Sequence, residues 1–176
     1  LVDSGKVDVK LIDQAVRNIL RVRFRMGLFE DSPKQAAQAL SALDGARKVA
    51  AGSCVLLKND GDALPLAKSI GKIAVIGPMA DSPADQMGTW TLDGKKEDVR
   101  TPLMALRKLL GNDRVLRAPG LNTSRDTSQA GFAAALETAR SADAVLLFLG
   151  EEANLSGEAR SRAFLDLPGA QEALVD

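Results

Sequence analysis

Two short, unbroken apolar runs stand out along the chain: Ile73-Ala74-Val75-Ile76, reached from Lys72 and broken by Gly77-Pro78, and Ala144-Val145-Leu146-Leu147-Phe148-Leu149, which ends at Gly150. Runs of this length without polar alternation are expected of parallel strands covered on both faces. Helical spacing dominates elsewhere. Residues 9–26 carry Val9, Ile12, Val16, Ile19, Leu20 and Phe24 on one stripe, which predicts an amphipathic helix. Arg17, Arg21, Arg23 and Arg25 crowd its second half, where cations suit the helix dipole, and Gly27 is placed to stop it. Leu28 to Pro33 then reads as a domain exit. A second helix is expected over 36–53, with an interruption near Asp44-Gly45, followed by a short strand, Val55-Leu56-Leu57-Lys58, and the turn Asn59-Asp60-Gly61-Asp62.

Beyond the first buried strand, residues 79–98 read as loop and hold Trp90. Thr101 and Pro102 have the chemistry of an N-cap and first helical residue, and the helix they open runs through Leu103, Leu106, Leu109 and Leu110 to Gly111-Asn112. A strand over Arg114–Leu116, a helix over about 128–140 and a last helix opened by Pro168 complete the pattern. Strand, helix, strand, helix, strand predicts a layered α/β fold with parallel strands and right-handed crossovers.

Composition narrows the chemistry. The chain has 176 residues, 45% hydrophobic and 26% charged, enough for one ordinary domain with a real core. Its 23 basic and 23 acidic residues cancel, so no nucleic-acid footprint or acidic-lipid patch is expected. Five Phe, one Trp and no Tyr argue against base-stacking surfaces. The absence of histidine removes Ser-His-Asp triads, Cys-His dyads and His-ligated metals together. Cys54 has no internal disulfide partner and, inside an apolar run, is expected to be a buried small hydrophobe. No cationic leader precedes an apolar core, and the apolar runs are too short to span a bilayer. No glycine-rich phosphate loop follows any strand, so nucleotide binding is not expected. No metal site or cofactor is expected. The chain opens on Leu1 and stops inside a forming helix, so it is expected to be a piece of a longer protein.

The densest chemistry follows the second strand. Ligands of open α/β sheets sit outside the carboxyl ends of strands, and that end carries Glu151, Glu152 and Glu158. Two readings stand open on the residues alone: a general acid or base tuned by its surroundings, or a solvated acidic loop.

Four blocks together resemble glycoside hydrolase family 3, of the bacterial periplasmic β-glucosidase type. IDQAVRNILRVRFRMGLF, over 12–29, is similar to the helix that closes the family's (β/α)8 barrel. ARKVAAGSCVLLKNDGDALPL, over 46–66 and followed by KIAVIGPMA, resembles the opening of the family's second domain and is the most specific block. MGTWTLDGKKEDVRTPLMALRK resembles its Gly-x-Trp loop and Thr-Pro-Leu helix, and ADAVLLFLGEEANLSGEARSRAFLDLP its acid/base loop. The resemblance implies a division of 1–30 as the end of the barrel, 31–45 as linker and 46–176 as a partial α/β sandwich. It implies a retaining exo-β-glucosidase fragment without cofactor. The partners would be a β-glucoside or oligosaccharide and the barrel, which carries the Asp nucleophile; no segment here matches the nucleophile's Ser-Asp-Trp-like motif. It assigns the acid/base to Glu158, with Glu151 as the fallback, and substrate contacts to Trp90 and Arg162. Trp90 is also open to a partly buried core role, and Glu151 to pairing with Arg160 or Arg162. Glu152 has no counterpart and is expected in solvent. The family implies a periplasmic or secreted location. The alternatives are a β-xylosidase of the same family, a non-catalytic flavodoxin-like binding domain, and a purely structural interaction domain.

Overall fold

The computed structural model describes residues 1–30 and 39–176. They fall into two compact units, Leu1–Gly61 and Asp62–Asp176.

In the first unit, α1 spans Val9–Arg25. Asp8 caps it by accepting a hydrogen bond from the Lys10 N–H at 2.9 Å. The helix ends as the sequence predicts: Gly27 takes φ +67°, its N–H donates to Phe24 O at 3.0 Å, and the Leu28 N–H reaches back to Arg23 O at 3.1 Å. This double bond pattern satisfies carbonyls that the last turn leaves open, and a side chain at Gly27 would strain it. The rings of Phe24 and Phe29 pack with centroids 4.5 Å apart across the same corner. Helix α2 spans Ala39–Gly52 and runs through Asp44-Gly45 without the expected interruption. Residues 31–38, which include much of the expected linker and the start of the expected second helix, lie outside the described residues.

Two expectations fail just after α2. Val55–Lys58 forms no strand, and Leu57 is 92% exposed. Cys54 is exposed rather than buried. The physical reason is common to both. A strand exists by hydrogen bonding to a neighbour, and no strand is described in the first unit to provide the ladder or the cover.

In the second unit, three parallel strands lie in the order β2-β1-β3: β1 Ile73–Ile76, β2 Val115–Ala118 and β3 Ala144–Leu147. Ile73 pairs with Val115 on one side and Ala144 on the other, and Ile76 with Ala118 and Leu147. Only the central strand is buried along its whole length. On one face Ile73, Val75 and Val115 pack with Ala80 and with Leu103 of α4, Pro102–Leu110, which follows the short helix α3, Pro83–Met87. On the other, Ala74, Ile76 and Ala118 pack with Ala135 of α5, Phe132–Arg140, and with Leu174 of α6, Gln171–Val175. Small residues let α5 approach closely: an alanine Cβ at Gly131 would lie 2.3 Å from Gly120 O. Among the described residues, no helix is long and apolar enough to cross a membrane.

Several boundaries differ from the periodicity reading. Strand β3 is an edge, with Val145 43% and Leu147 41% exposed, so it is covered on one face rather than two. An apolar run reports the tendency to be buried, whereas strand order decides which run becomes central. Strand β2 begins at Val115, because Arg114 closes a 3-10 turn, and α5 begins at Phe132 rather than near 128. The last helix starts at Gln171; Pro168, Gly169 and Ala170 form the turn before it. Thr101 caps α4 as predicted, accepting from the Met104 N–H at 3.3 Å with Pro102 at the first helical position. Its buried hydroxyl also donates to Asp81 at 2.7 Å.

Candidate active-site loop

The candidate site is the segment that leaves the carboxyl end of β3. Its start is set by a close approach between strands. Past the ladder, the Phe148 N–H donates to Ile76 O at 2.8 Å, and the Met79 N–H donates to Phe148 O at 3.2 Å. Gly77 sits between them at φ +106°, where an alanine Cβ would lie 2.2 Å from Phe148 O. The glycine after β1 thereby lets the chain leave the sheet while β3 runs beside it.

From Gly150 the loop is held at three points. At its root, both backbone groups of Gly150 bond the Gln171 side chain: the N–H donates to Oε1 at 2.8 Å and the carbonyl accepts from Nε2 at 2.8 Å. Two residues on, Glu152 accepts from the Ser124 hydroxyl at 3.1 Å and forms an ion pair with Arg125 at 3.0 Å. The third point is a turn over Ala153–Leu155, whose first N–H donates to Asp85 at 2.9 Å. The Thr89 hydroxyl also faces the carbonyls of Ala153 at 2.5 Å and Ser156 at 2.7 Å. Gly157 then turns at φ +113°, where a Cβ would lie 2.7 Å from Thr89 Cγ2.

Glu152 therefore does not sit in solvent as expected. Its side chain is only 14% exposed, and the hydrogen bond from Arg125 holds the carboxyl below its usual range, with Ser124 adding to that and burial opposing it. Asp126 orders the segment that supplies Ser124 and Arg125. It accepts from the Ser128 N–H at 2.8 Å and from the Asn122 N–H at 3.1 Å, and those bonds lower its carboxyl too.

The three remaining residues singled out in sequence have distinct surroundings. Glu151 forms an ion pair with Arg162, one of the pairings weighed for it in sequence. Arg162 also binds Asp166, at 2.9 Å to its carbonyl and 3.1 Å to its carboxylate, so it closes the loop over 151–166. Glu158 stands exposed on the turn after Gly157, ahead of Ala159 at φ +58°, and makes no side-chain hydrogen bond or ion pair among the described residues. Trp90 is 69% exposed, which removes the buried-core reading.

The structure brings two of the sequence blocks together. Thr89 precedes Trp90 and grips the residues just before Glu158, so the tryptophan loop and the glutamate loop form one connected surface. Glu151 and Glu158, by contrast, share no described bond. Sequence reading missed Gln171, Asp85, Thr89, Ser124 and Arg125. Thr89 had a signal, its place beside Trp90; the others are ordinary polar residues whose partners in the loop are 21 to 68 positions away. Chemically, the arrangement offers one unengaged carboxyl on a loop whose other carboxylates are committed to arginines. Among the described residues, no group of three or more acidic, Cys or His side chains is placed to hold a metal ion.

Known proteins share this architecture. The model of the glycosyl hydrolase family 3 C-terminal domain matches residues 54–176. A periplasmic β-glucosidase of Salmonella typhimurium is 34% identical over 99% of this chain, which covers 27% of that protein. A probable β-D-xylosidase of Arabidopsis thaliana is 33% identical over 99% of the chain, 23% of its own length. The crystal structure of a β-glucosidase from Listeria innocua in complex with isofagomine superimposes with a TM-score of 0.78 at 32% identity, covering 99% of this chain and 25% of that one. The chain thus spans about a quarter of the length of the relatives it matches. A parallel α/β sheet and a family match over residues 54–176, most of the chain, together establish that this chain belongs to glycosyl hydrolase family 3.

Proposed function

We propose that the intact protein is a retaining exo-β-glycosidase that removes terminal β-D-glucosyl residues, and that this chain supplies its general acid/base, Glu158. One observation carries the assignment within the loop. Glu151 is paired with Arg162 and Glu152 with Arg125, whereas Glu158 has no partner among the described residues. A carboxyl that must give up a proton and take it back cannot be locked as an anion against a guanidinium. A retaining glycosidase needs a second carboxylate about 5–5.5 Å away to attack the anomeric carbon. That nucleophile, an Asp, is assigned to the (β/α)8 barrel beyond this chain, of which 1–30 would be the end. In the assembled site Glu158 would pass its proton to the leaving oxygen as that nucleophile attacks. Trp90 offers a ring face to the C–H side of a pyranose. Arg162 would reach a sugar hydroxyl only with the N–H groups that Glu151 and Asp166 leave over.

The test is Glu158→Ala in the full-length enzyme. Activity on a glucoside with a poor leaving group should fall about 10²–10⁴-fold, the usual worth of a general acid, with a much smaller loss on an activated aryl glucoside. Azide should restore turnover as a β-glycosyl azide. Equal, modest losses on both substrates without rescue would move the assignment to Glu151.

A second reading has support of its own: the Arabidopsis relative is a probable β-D-xylosidase. Aryl β-glucoside and β-xyloside, compared on the same enzyme, separate the two. The flavodoxin-like and purely structural alternatives lose their footing, because the family match covers residues 54–176. A periplasmic or secreted location is supported by the name of the Salmonella relative.

A further inference from the structure

We propose that Gln171 is a positioning residue for the acid/base loop: its buried amide clamps the root of the segment that presents Glu158. The inference rests on the reading of Glu158 given above. Gln171 is fully buried, at 0% exposure, on the first turn of α6. Its side chain joins three separate stretches of chain. Nε2 faces the carbonyls of Gly150 at 2.8 Å, Ser124 at 2.9 Å and Pro168 at 2.9 Å, while Oε1 accepts from the Gly150 N–H at 2.8 Å.

The chemistry of the site requires an amide. A flipped amide would set its oxygen against three carbonyl oxygens, so only one orientation works. A carboxylate would meet the same three carbonyls with no proton to offer. An apolar side chain of equal length would leave four backbone groups without this partner, around a side-chain position that is itself fully buried. Among side chains of this length, only the amide offers from one planar group an acceptor for the Gly150 N–H and two N–H donors to share among the three carbonyls.

The clamp acts on Glu158 through the backbone. Glu158 has no side-chain bond of its own among the described residues, so its position is inherited from the loop. The loop is fixed first at Gly150 by Gln171 and again at Ala153 and Ser156 by Asp85 and Thr89. The Ser124 carbonyl held by Gln171 belongs to the residue whose hydroxyl binds Glu152. Loosening the amide therefore loosens two of the loop's three supports together. A proton donor displaced by about 1 Å can lose about 10²-fold in rate.

The experiment uses the full-length enzyme. Gln171→Met should lower kcat/KM about 10- to 100-fold on a glucoside with a poor leaving group, because misplaced acid assistance is what that substrate needs. The loss on a dinitrophenyl glucoside, whose leaving group departs unaided, should stay within about threefold by the same argument. Partial unfolding would lower both equally, so equal losses overturn the proposal, as does no loss on either. Gln171→Glu keeps the length and the acceptor for Gly150, is read in the same way, and decides the question if Gln171→Met does not accumulate as folded enzyme. Glu158→Ala is measured alongside. If it shows the leaving-group split and the Gln171 variants do not, only the positioning role falls; if Glu158→Ala shows no split, the acid/base reading falls and the positioning role with it.

Discussion

Glu152 shows how little a residue's type says about its task. Three glutamates lie within eight positions, and only their partners tell them apart: Arg162 for Glu151, Ser124 and Arg125 for Glu152, none described for Glu158. The Glu152 carboxyl is held below its ordinary value, chiefly by the hydrogen bond from Arg125. The sign of the consequence follows from linkage. A carboxyl that binds protons more weakly folded than unfolded adds stability above its unfolded pKa, and that stability is lost as pH falls through the folded value. Stability should therefore decline from about pH 4.5 downward, the ordinary value of the group, and Glu152→Gln should flatten part of that decline. Denaturant midpoints of the two proteins between neutral and acid pH would check this. A decline of the same steepness in both would remove Glu152 from the account. Gly157 makes the complementary point about backbone: φ +113° and the Thr89 methyl both exclude a side chain immediately before the proposed acid.

At the scale of elements, the sheet end matters more than the sheet middle. Strands β1 and β3 are paired through Ile76 and Leu147, and the pairing persists one residue further through Phe148. Gly77 makes that extension possible. Gly77→Ala should cost about 3 kcal/mol, combining a strained positive φ with a backbone overlap. It should also displace Phe148 and hence the start of the loop at Gly150. The measurement is thermal or chemical unfolding together with turnover of the poor-leaving-group glucoside; an alanine variant of unchanged stability would show that the strands part without cost. The helices serve the same end. Helix α4 seals one face through Leu103, whereas α6 is short and contributes Leu174 to the core and Gln171 to the loop. Its first residue is thus more consequential for the site than its length suggests.

At the scale of the whole molecule, the chain covers about a quarter of its relatives, and the proposed mechanism divides its two carboxyl groups between this chain and the remainder. The 176-residue chain alone should hydrolyse neither aryl β-glucosides nor aryl β-xylosides, while the full-length enzyme hydrolyses at least one of them. Steady-state assay of both proteins with both chromogenic substrates checks this, and turnover by the short chain would mean that it holds a nucleophile of its own. The sugar is chosen elsewhere in the enzyme on this reading, which is why the same domain type is found in relatives named for glucosidase and xylosidase activity.

Local physics was legible along the chain. The Thr101-Pro102 helix start, the Gly27 helix stop, the apolar β1 and the parallel α/β order all follow from rules that act within a few residues. The family, too, could be read from short blocks, because blocks in a set order survive as sequence. Which apolar run would be central was not legible, since burial depends on what lies on either side: β1 is covered on both faces, β3 is a half-exposed edge and Val55–Lys58 forms no strand. The loop's supports were equally hidden. Gln171 meets Gly150 across 21 positions and Ser124 across 47, and Asp85 meets Ala153 across 68. Such contacts arise only when the sheet has closed, because a hydrogen bond is decided by distance and direction in space, and neither is encoded by a polar residue's place in the chain.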